Sequence, residues 1–112
     1  KHGQKNQIEG QFTSGQRVLV IEDLISTGKS SLNAVKALEE AGAQILGMMA
    51  LFTYGFTVAD EAFKEANVKL QTLCDYQYLL SVALGNDKIS INQSENLSTW
   101  RQDPANWQPK GV

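Results

Sequence analysis

The chain has 112 residues, 42% of them apolar, with 10 Lys and Arg against 12 Asp and Glu, for a net charge of −2. That length allows one small domain, whose surface-to-volume ratio leaves stability marginal unless another segment or subunit covers it. Charge this mild, with no long basic run, argues against nucleic-acid binding through bulk phosphate neutralisation, and a single Cys excludes an internal disulfide framework and predicts a reducing compartment.

Residues 1–7, Lys1-His2-Gly3-Gln4-Lys5-Asn6-Gln7, offer nothing to pack and read as a mobile loop; no apolar stretch follows to make a signal peptide. The chain starts without Met, as expected of a piece of a longer protein. Ile8 to Phe12 reads as a short extended segment and Thr13 to Gln16 as a turn. Val18 to Ile21 is a continuous β-branched and aliphatic run, the pattern of a strand covered on both faces and hence of a parallel sheet, with the polar pair Glu22-Asp23 directly behind it. Leu32, Val35 and Leu38 recur at helical spacing from Ser30 to Ala41, and Gly42 supplies a stop.

Ile45 to Phe52, including Met48 and Met49, predicts a second buried strand. Thr57 to Ala66 predicts a helix opened by Thr57, with Asp60 three residues on as a near-capping box. Val68 to Leu73 predicts a third strand, and Asp75 an N-cap for a helix through Tyr76, Leu79, Leu80 and Ala83 that ends near Gly85. Residues 86–112 turn polar and predict a C-terminal helix, Leu97 to Trp107, and a tail. Alternating strands and helices with short connections imply an α/β fold, a twisted parallel sheet with helices on both faces, which binds ligands at the carboxyl ends of its strands. No apolar run reaches the roughly 18 to 20 residues that a membrane span needs.

The distinctive segment is 17–31, a strand running into two acids, then Leu24-Ile25, then Ser26-Thr27-Gly28-Lys29-Ser30, then a helix. Small residues with a Gly let backbone N–H groups converge on a phosphate, the hydroxyls add donors, and the helix aims its positive end at the same place. Carboxylates beside a phosphate site accept hydrogen bonds from sugar hydroxyls or deal with a metal that accompanies the phosphates. Gly28-Lys29-Ser30 also ends like a nucleotide-triphosphatase P-loop, but that pattern needs a Gly where Asp23 stands, and an acid there repels the phosphate.

Val18 to Ser30 matches, position by position, the 5-phosphoribosyl 1-pyrophosphate (PRPP) motif of type I phosphoribosyltransferases: four apolar residues, an acid, Asp, two apolar residues, two small hydroxyl residues, Gly, any residue and a hydroxyl residue. With Lys1-His2-Gly3 and Asn6 to Gly10 ahead of it, the chain resembles the C-terminal portion of the orotate phosphoribosyltransferase family, from the mobile catalytic loop (1–7) and its return strand onward. The resemblance implies a partial phosphoribosyltransferase domain over 1–112. The implied reaction transfers phosphoribosyl from PRPP to orotate, giving orotidine 5′-monophosphate and pyrophosphate in pyrimidine biosynthesis.

It further implies that Glu22 and Asp23 hold the ribose hydroxyls, with Asp23 and His2 as catalytic residues. Ser26, Thr27, Gly28, Lys29 and Ser30 would bind the 5-phosphate, and Ser26 and Tyr54 would meet orotate. Mg²⁺ would be bound through PRPP rather than by the protein directly, and the enzyme would be a cytoplasmic homodimer whose loop is shared across subunits. Where some orotate enzymes place an Arg that meets the base, this chain has Thr53-Tyr54-Gly55, so base recognition from that loop is expected to rest on backbone, Thr53 or Tyr54.

A purine phosphoribosyltransferase and a PRPP-sensing regulator share the motif; the first leaves residues 1–10 unexplained, and the acidic balance disfavours a DNA-binding form of the second. Cys74, at a strand end with no His to activate it, reads as a small buried apolar residue. Asn92-Gln93-Ser94 and Asn96-Leu97-Ser98 match the glycosylation pattern by chance, and Trp100 and Trp107 are expected to pack on the fold or on a partner.

Overall fold

A computed structural model describes residues 8–109 of the chain. In chain order its elements are β1 (Arg17–Ile25), α1 (Lys29–Glu40), β2 (Gln44–Thr53), α2 (Thr57–Glu65), β3 (Leu70–Asp75), α3 (Tyr76–Gly85) and α4 (Ile91–Gln102). The three strands form one sheet in the order β1-β2-β3, and both pairings are parallel. This is the helix-flanked parallel sheet that the alternating pattern implied.

Val35 of α1 and Ala59 and Phe63 of α2 share one core with Ile25, Met48, Ala50 and Val68, while Val20, Leu32, Ile45 and Leu70 pack against it. Both crossover helices therefore cover the same face of the sheet, as two successive crossovers of one hand require. Residues of opposite pleat, Leu19, Ile21, Leu46, Leu51 and Leu73, remain exposed. The second apolar side of these strands, which made them read as covered on both faces, is thus open among the described residues.

Several boundaries move. β1 does not stop at Ile21 but continues through Glu22 and Asp23, because Glu22 stays paired with Ala50, Leu24 with Phe52 and Ile25 with Thr53. The motif acids accordingly stand on the strand. β3 begins at Leu70, since Val68 lies in the core ahead of the strand with its N–H bonded to the Phe63 carbonyl at 3.0 Å. Residue 8 to residue 12 take no place in the sheet.

Thr57 is the first residue of α2 rather than its cap; Phe56 occupies the cap position without a side-chain hydrogen bond, so the expected Thr57–Asp60 box does not form. Asp75 does cap α3, accepting the Tyr78 N–H at 2.8 Å. The last helix starts six residues earlier than Leu97, at Ile91. Ser90 and Gln93 form a reciprocal capping box there, with Ser90 Oγ accepting the Gln93 N–H at 3.1 Å and Gln93 Oε1 accepting the Ser90 N–H at 2.9 Å. The helix ends at Gln102, ahead of Pro104. Both glycosylation-like triplets lie on it.

Candidate functional site

The register places Ile25, Thr53 and Asp75 side by side, so the carboxyl ends of all three strands form one edge. Loops 26–28 and 54–56 leave from that edge and α3 starts on it. A ligand at the carboxyl edge of a parallel sheet meets helix N-termini and loop N–H groups together.

The first loop is anchored by Ile25, which is 1% exposed in the core. Gly28 caps α1 in the left-handed region, φ 82°, and its carbonyl accepts the Leu32 N–H at 2.9 Å to start the helix. Its missing side chain is also a matter of space, since a Cβ there would lie 2.8 Å from Cε2 of Phe63, which is itself buried. Ser26 and Thr27 are exposed, and so are Lys29 and Ser30 in the first turn of α1. The residues expected to bind the phosphate thus share one turn, with Gly28 buried among them and Thr27 Oγ1 accepting the Lys29 N–H at 3.4 Å.

The acids part company. Strand alternation turns Glu22 toward α1, where the Ser31 hydroxyl, on a residue 3% exposed, donates to its carboxylate. Asp23 is exposed, and its Oδ1 accepts the N–H of Leu24 at 2.7 Å. Ser31 is a site residue that the motif did not reveal; its hydroxyl fixes the direction of one motif acid. His2 and the rest of the 1–7 loop lie outside the described residues. Among the described residues no group of three or more His, Cys, Asp or Glu side chains converges as a metal site.

The second loop carries Tyr54, whose N–H donates to the Ile25 carbonyl at 3.1 Å and so ties this loop to the root of the first. The Tyr54 ring stacks on Phe56 at 5.3 Å between centroids and 6° between planes. Trp100 of α4 meets both rings edge-on, each at 5.7 Å, and Tyr76 tilts against Tyr54 and Trp100. Burial, and then the neighbouring Tyr54 phenol, raise the Tyr76 phenol above its ordinary pKa near 10. Arg101, next along α4, donates from its guanidinium to the Gly55 carbonyl at 2.9 Å.

Between these parts lies a cavity of about 550 Å³. Ser26 and Thr27 line one side of it, Tyr54 and Phe56 another, and Trp100 and Arg101 a third. The two residues expected to meet the base, Ser26 and Tyr54, are therefore brought to one cavity. Phe56, Trp100 and Arg101 join them from segments with no local motif, with Tyr76 packed against Tyr54 and Trp100; only the tertiary packing reveals them. Cys74 is partly buried, its thiol 3.5 Å from the Asp75 carbonyl, in keeping with a packing role.

No family model matches the chain. The orotate phosphoribosyltransferase of Cytophaga hutchinsonii is 49% identical to it over 106 residues, which cover 95% of this chain and 51% of that protein. Among solved structures, the orotate phosphoribosyltransferase from Aeropyrum pernix superposes with a TM-score of 0.64 at 27% identity, over 72% of this chain and 45% of that one. The orotate phosphoribosyltransferase of Mycobacterium tuberculosis in complex with PRPP superposes with a TM-score of 0.56 at 34% identity, over 61% of this chain and 40% of that one. The chain spans about half the length of the curated relatives it matches.

Proposed function

The chain belongs to the orotate phosphoribosyltransferase family, and on that premise we propose that it carries the PRPP-binding part of an enzyme that transfers phosphoribosyl from PRPP to orotate. The products are orotidine 5′-monophosphate and pyrophosphate, in pyrimidine biosynthesis. The observation that carries this reading is the 26–30 turn at the sheet's carboxyl edge, opening directly onto the aromatic cavity that holds Ser26 and Tyr54.

In this reading the 5-phosphate sits on the N–H groups and hydroxyls of Ser26 to Ser30, at the positive end of α1. Asp23, whose side chain faces solvent, accepts from the ribose hydroxyls; Glu22, steadied by Ser31, supports the same sugar from the strand. Pyrophosphate leaves, positive charge develops at the ribosyl carbon, and N1 of orotate attacks it. The protein's part is to hold phosphate and base at a productive distance and to keep water away. His2 is the further catalytic residue in this reading, and the enzyme works as a cytoplasmic homodimer.

Mg²⁺ belongs to the same proposal. Asp23, the exposed motif carboxylate, is an oxygen group of the kind this hard cation accepts, and Mg²⁺ would be carried in by the PRPP phosphates and keep several of its waters. When bound, Mg²⁺ neutralises charge on the leaving pyrophosphate.

The test uses the full-length protein with Mg²⁺, PRPP and orotate, following the loss of orotate absorbance, with adenine and xanthine as alternative bases. Orotate consumption is expected. Asp23→Asn is expected to weaken PRPP binding, read by calorimetry, by about 1–3 kcal/mol through loss of a charged acceptor. PRPP binding without orotate turnover refutes the orotate assignment.

A further inference from the structure

The β2–α2 loop, Thr53-Tyr54-Gly55, contains no cation, yet the proposed base is an anionic heterocycle with a ring carboxylate. A buried or half-buried carboxylate needs a charged or multiply donating partner. We propose that Arg101, on the last turn of α4, is the specificity-determining residue that receives this carboxylate. The inference rests on the orotate reading above and deepens it.

Three features of the structure converge on Arg101. It lines the same cavity as Ser26, Thr27, Tyr54 and Phe56, and among the described residues that line it Arg101 is the one cation. Its guanidinium is held in place, since the hydrogen bond to the Gly55 carbonyl at 2.9 Å spans 46 residues of sequence and fixes the side chain against the loop that carries Tyr54. That bond engages one of several N–H donors in a rigid planar fork, the geometry that recognises carboxylates. The one acid in the lining, Asp103, has a partner of its own, the Asn106 side-chain amide, which donates to its Oδ2 at 2.9 Å.

The remaining walls suit the rest of such a ligand. The stacked Tyr54–Phe56 pair and the Trp100 ring offer aromatic surface to a planar base, and the Ser26 and Thr27 hydroxyls offer donors. The cation therefore reaches the base site from a helix 46 residues downstream of the loop it serves.

The test compares full-length wild type with Arg101→Gln and Arg101→Lys, measuring KM for orotate and KM for PRPP separately, together with the ratio of orotate to uracil as acceptor. Gln can still donate to the Gly55 carbonyl, so the loop keeps its anchor while the charge is lost. Expected for Arg101→Gln are an orotate KM raised by about ten- to a hundredfold, as for a lost charged hydrogen bond, a PRPP KM changed less than about threefold, and a reduced preference for orotate over uracil. Arg101→Lys restores much of the orotate affinity, and Arg101→Met, which removes the charge from a side chain of similar length, reads the same contrast as Gln if the Gln variant does not fold.

Equal shifts in both KM values, or an unchanged preference for orotate over uracil, overturn the assignment and leave Arg101 as a loop anchor only. Absence of orotate turnover in the wild type overturns the orotate reading and this inference together, whereas turnover in the wild type with an unaltered orotate KM in both variants overturns Arg101 alone.

Discussion

Gly28→Ala is the sharpest probe of the phosphate turn, because two independent constraints meet at that residue. Its φ of 82° lies where an L side chain is strained, a conformational term of about 1–2 kcal/mol. The added Cβ would stand 2.8 Å from Cε2 of Phe63. Phe63 is only 4% exposed and cannot swing away without disturbing Val35, Met48 and Ala59 around it, so overpacking adds about 1–3 kcal/mol. The expected total is about 2–5 kcal/mol, a large share of the roughly 5–15 kcal/mol that holds a domain folded. Urea unfolding of the full-length protein measures it, and calorimetry with PRPP and Mg²⁺ shows whether the turn has moved. The clash is separable from the φ strain, since Phe63→Leu in the Gly28→Ala background should recover the steric part alone. A double-mutant cycle whose coupling lies within about 0.5 kcal/mol of zero would refute the contact as the reason for the glycine. Gly28→Ala with unchanged stability and PRPP affinity would refute the left-handed requirement as well.

Three further outcomes follow from single contacts. Ser31→Ala removes the donor to the Glu22 carboxylate and should lower stability by about 1–2 kcal/mol while weakening PRPP binding, read by thermal melting and calorimetry. Ser90→Ala removes half of the capping box and should cost about 0.5–2 kcal/mol, with faster amide exchange in the first turn of α4. Because burial raises the folded-state pKa of Tyr76, the unfolded chain loses its phenolic proton first, near pH 10. Stability is therefore whole below about pH 10 and falls as the pH climbs toward the folded pKa; Tyr76→Phe should flatten that decline in denaturation curves taken from about pH 9 to pH 11.5.

The fold was legible wherever a pattern was local and apolar. Val18 to Ile21 and Ile45 to Phe52 announced strands by their continuous aliphatic character, and they form β1, at an edge of the described sheet, and β2, at its centre. Asp75 announced a cap because an acid before a helix has a defined donor to satisfy. Misplacements occurred where tertiary pairing overrode local character. Polar Glu22 and Asp23 looked like the end of a strand, but the ladder to β2 carries them on for three more pairs: Glu22–Ala50, Leu24–Phe52 and Ile25–Thr53. The start of α4 was missed although its signal was present, a Ser with a Gln three residues on, because the residues behind it form no apolar stripe and the helix buries none of them.

The site divides along the same line. Its phosphate half is written in consecutive residues, since a turn that must present N–H groups to an anion has to be built from neighbours, and neighbours leave a motif. Its other half, in the proposed reading, meets a planar ring, for which any wall of the right shape serves, so its parts can come from anywhere the chain passes. Tyr54, Phe56, Tyr76 and Trp100 reach one another from β2's end, the following loop, α3 and α4, and no spacing in the sequence marks them as a group. The same logic explains how Thr53-Tyr54-Gly55 can stand without a cation of its own. Once α4 is anchored by its capping box at one end and by the Trp100 ring contacts and the Arg101 bond to Gly55 at the other, a charge carried on that helix is held as firmly over the cavity as one carried on the loop. Base specificity and the integrity of α4 are then coupled, and a substitution as distant as Ser90→Ala should raise the orotate KM in proportion to the fraying it causes while leaving the phosphate turn, and the PRPP KM, unchanged.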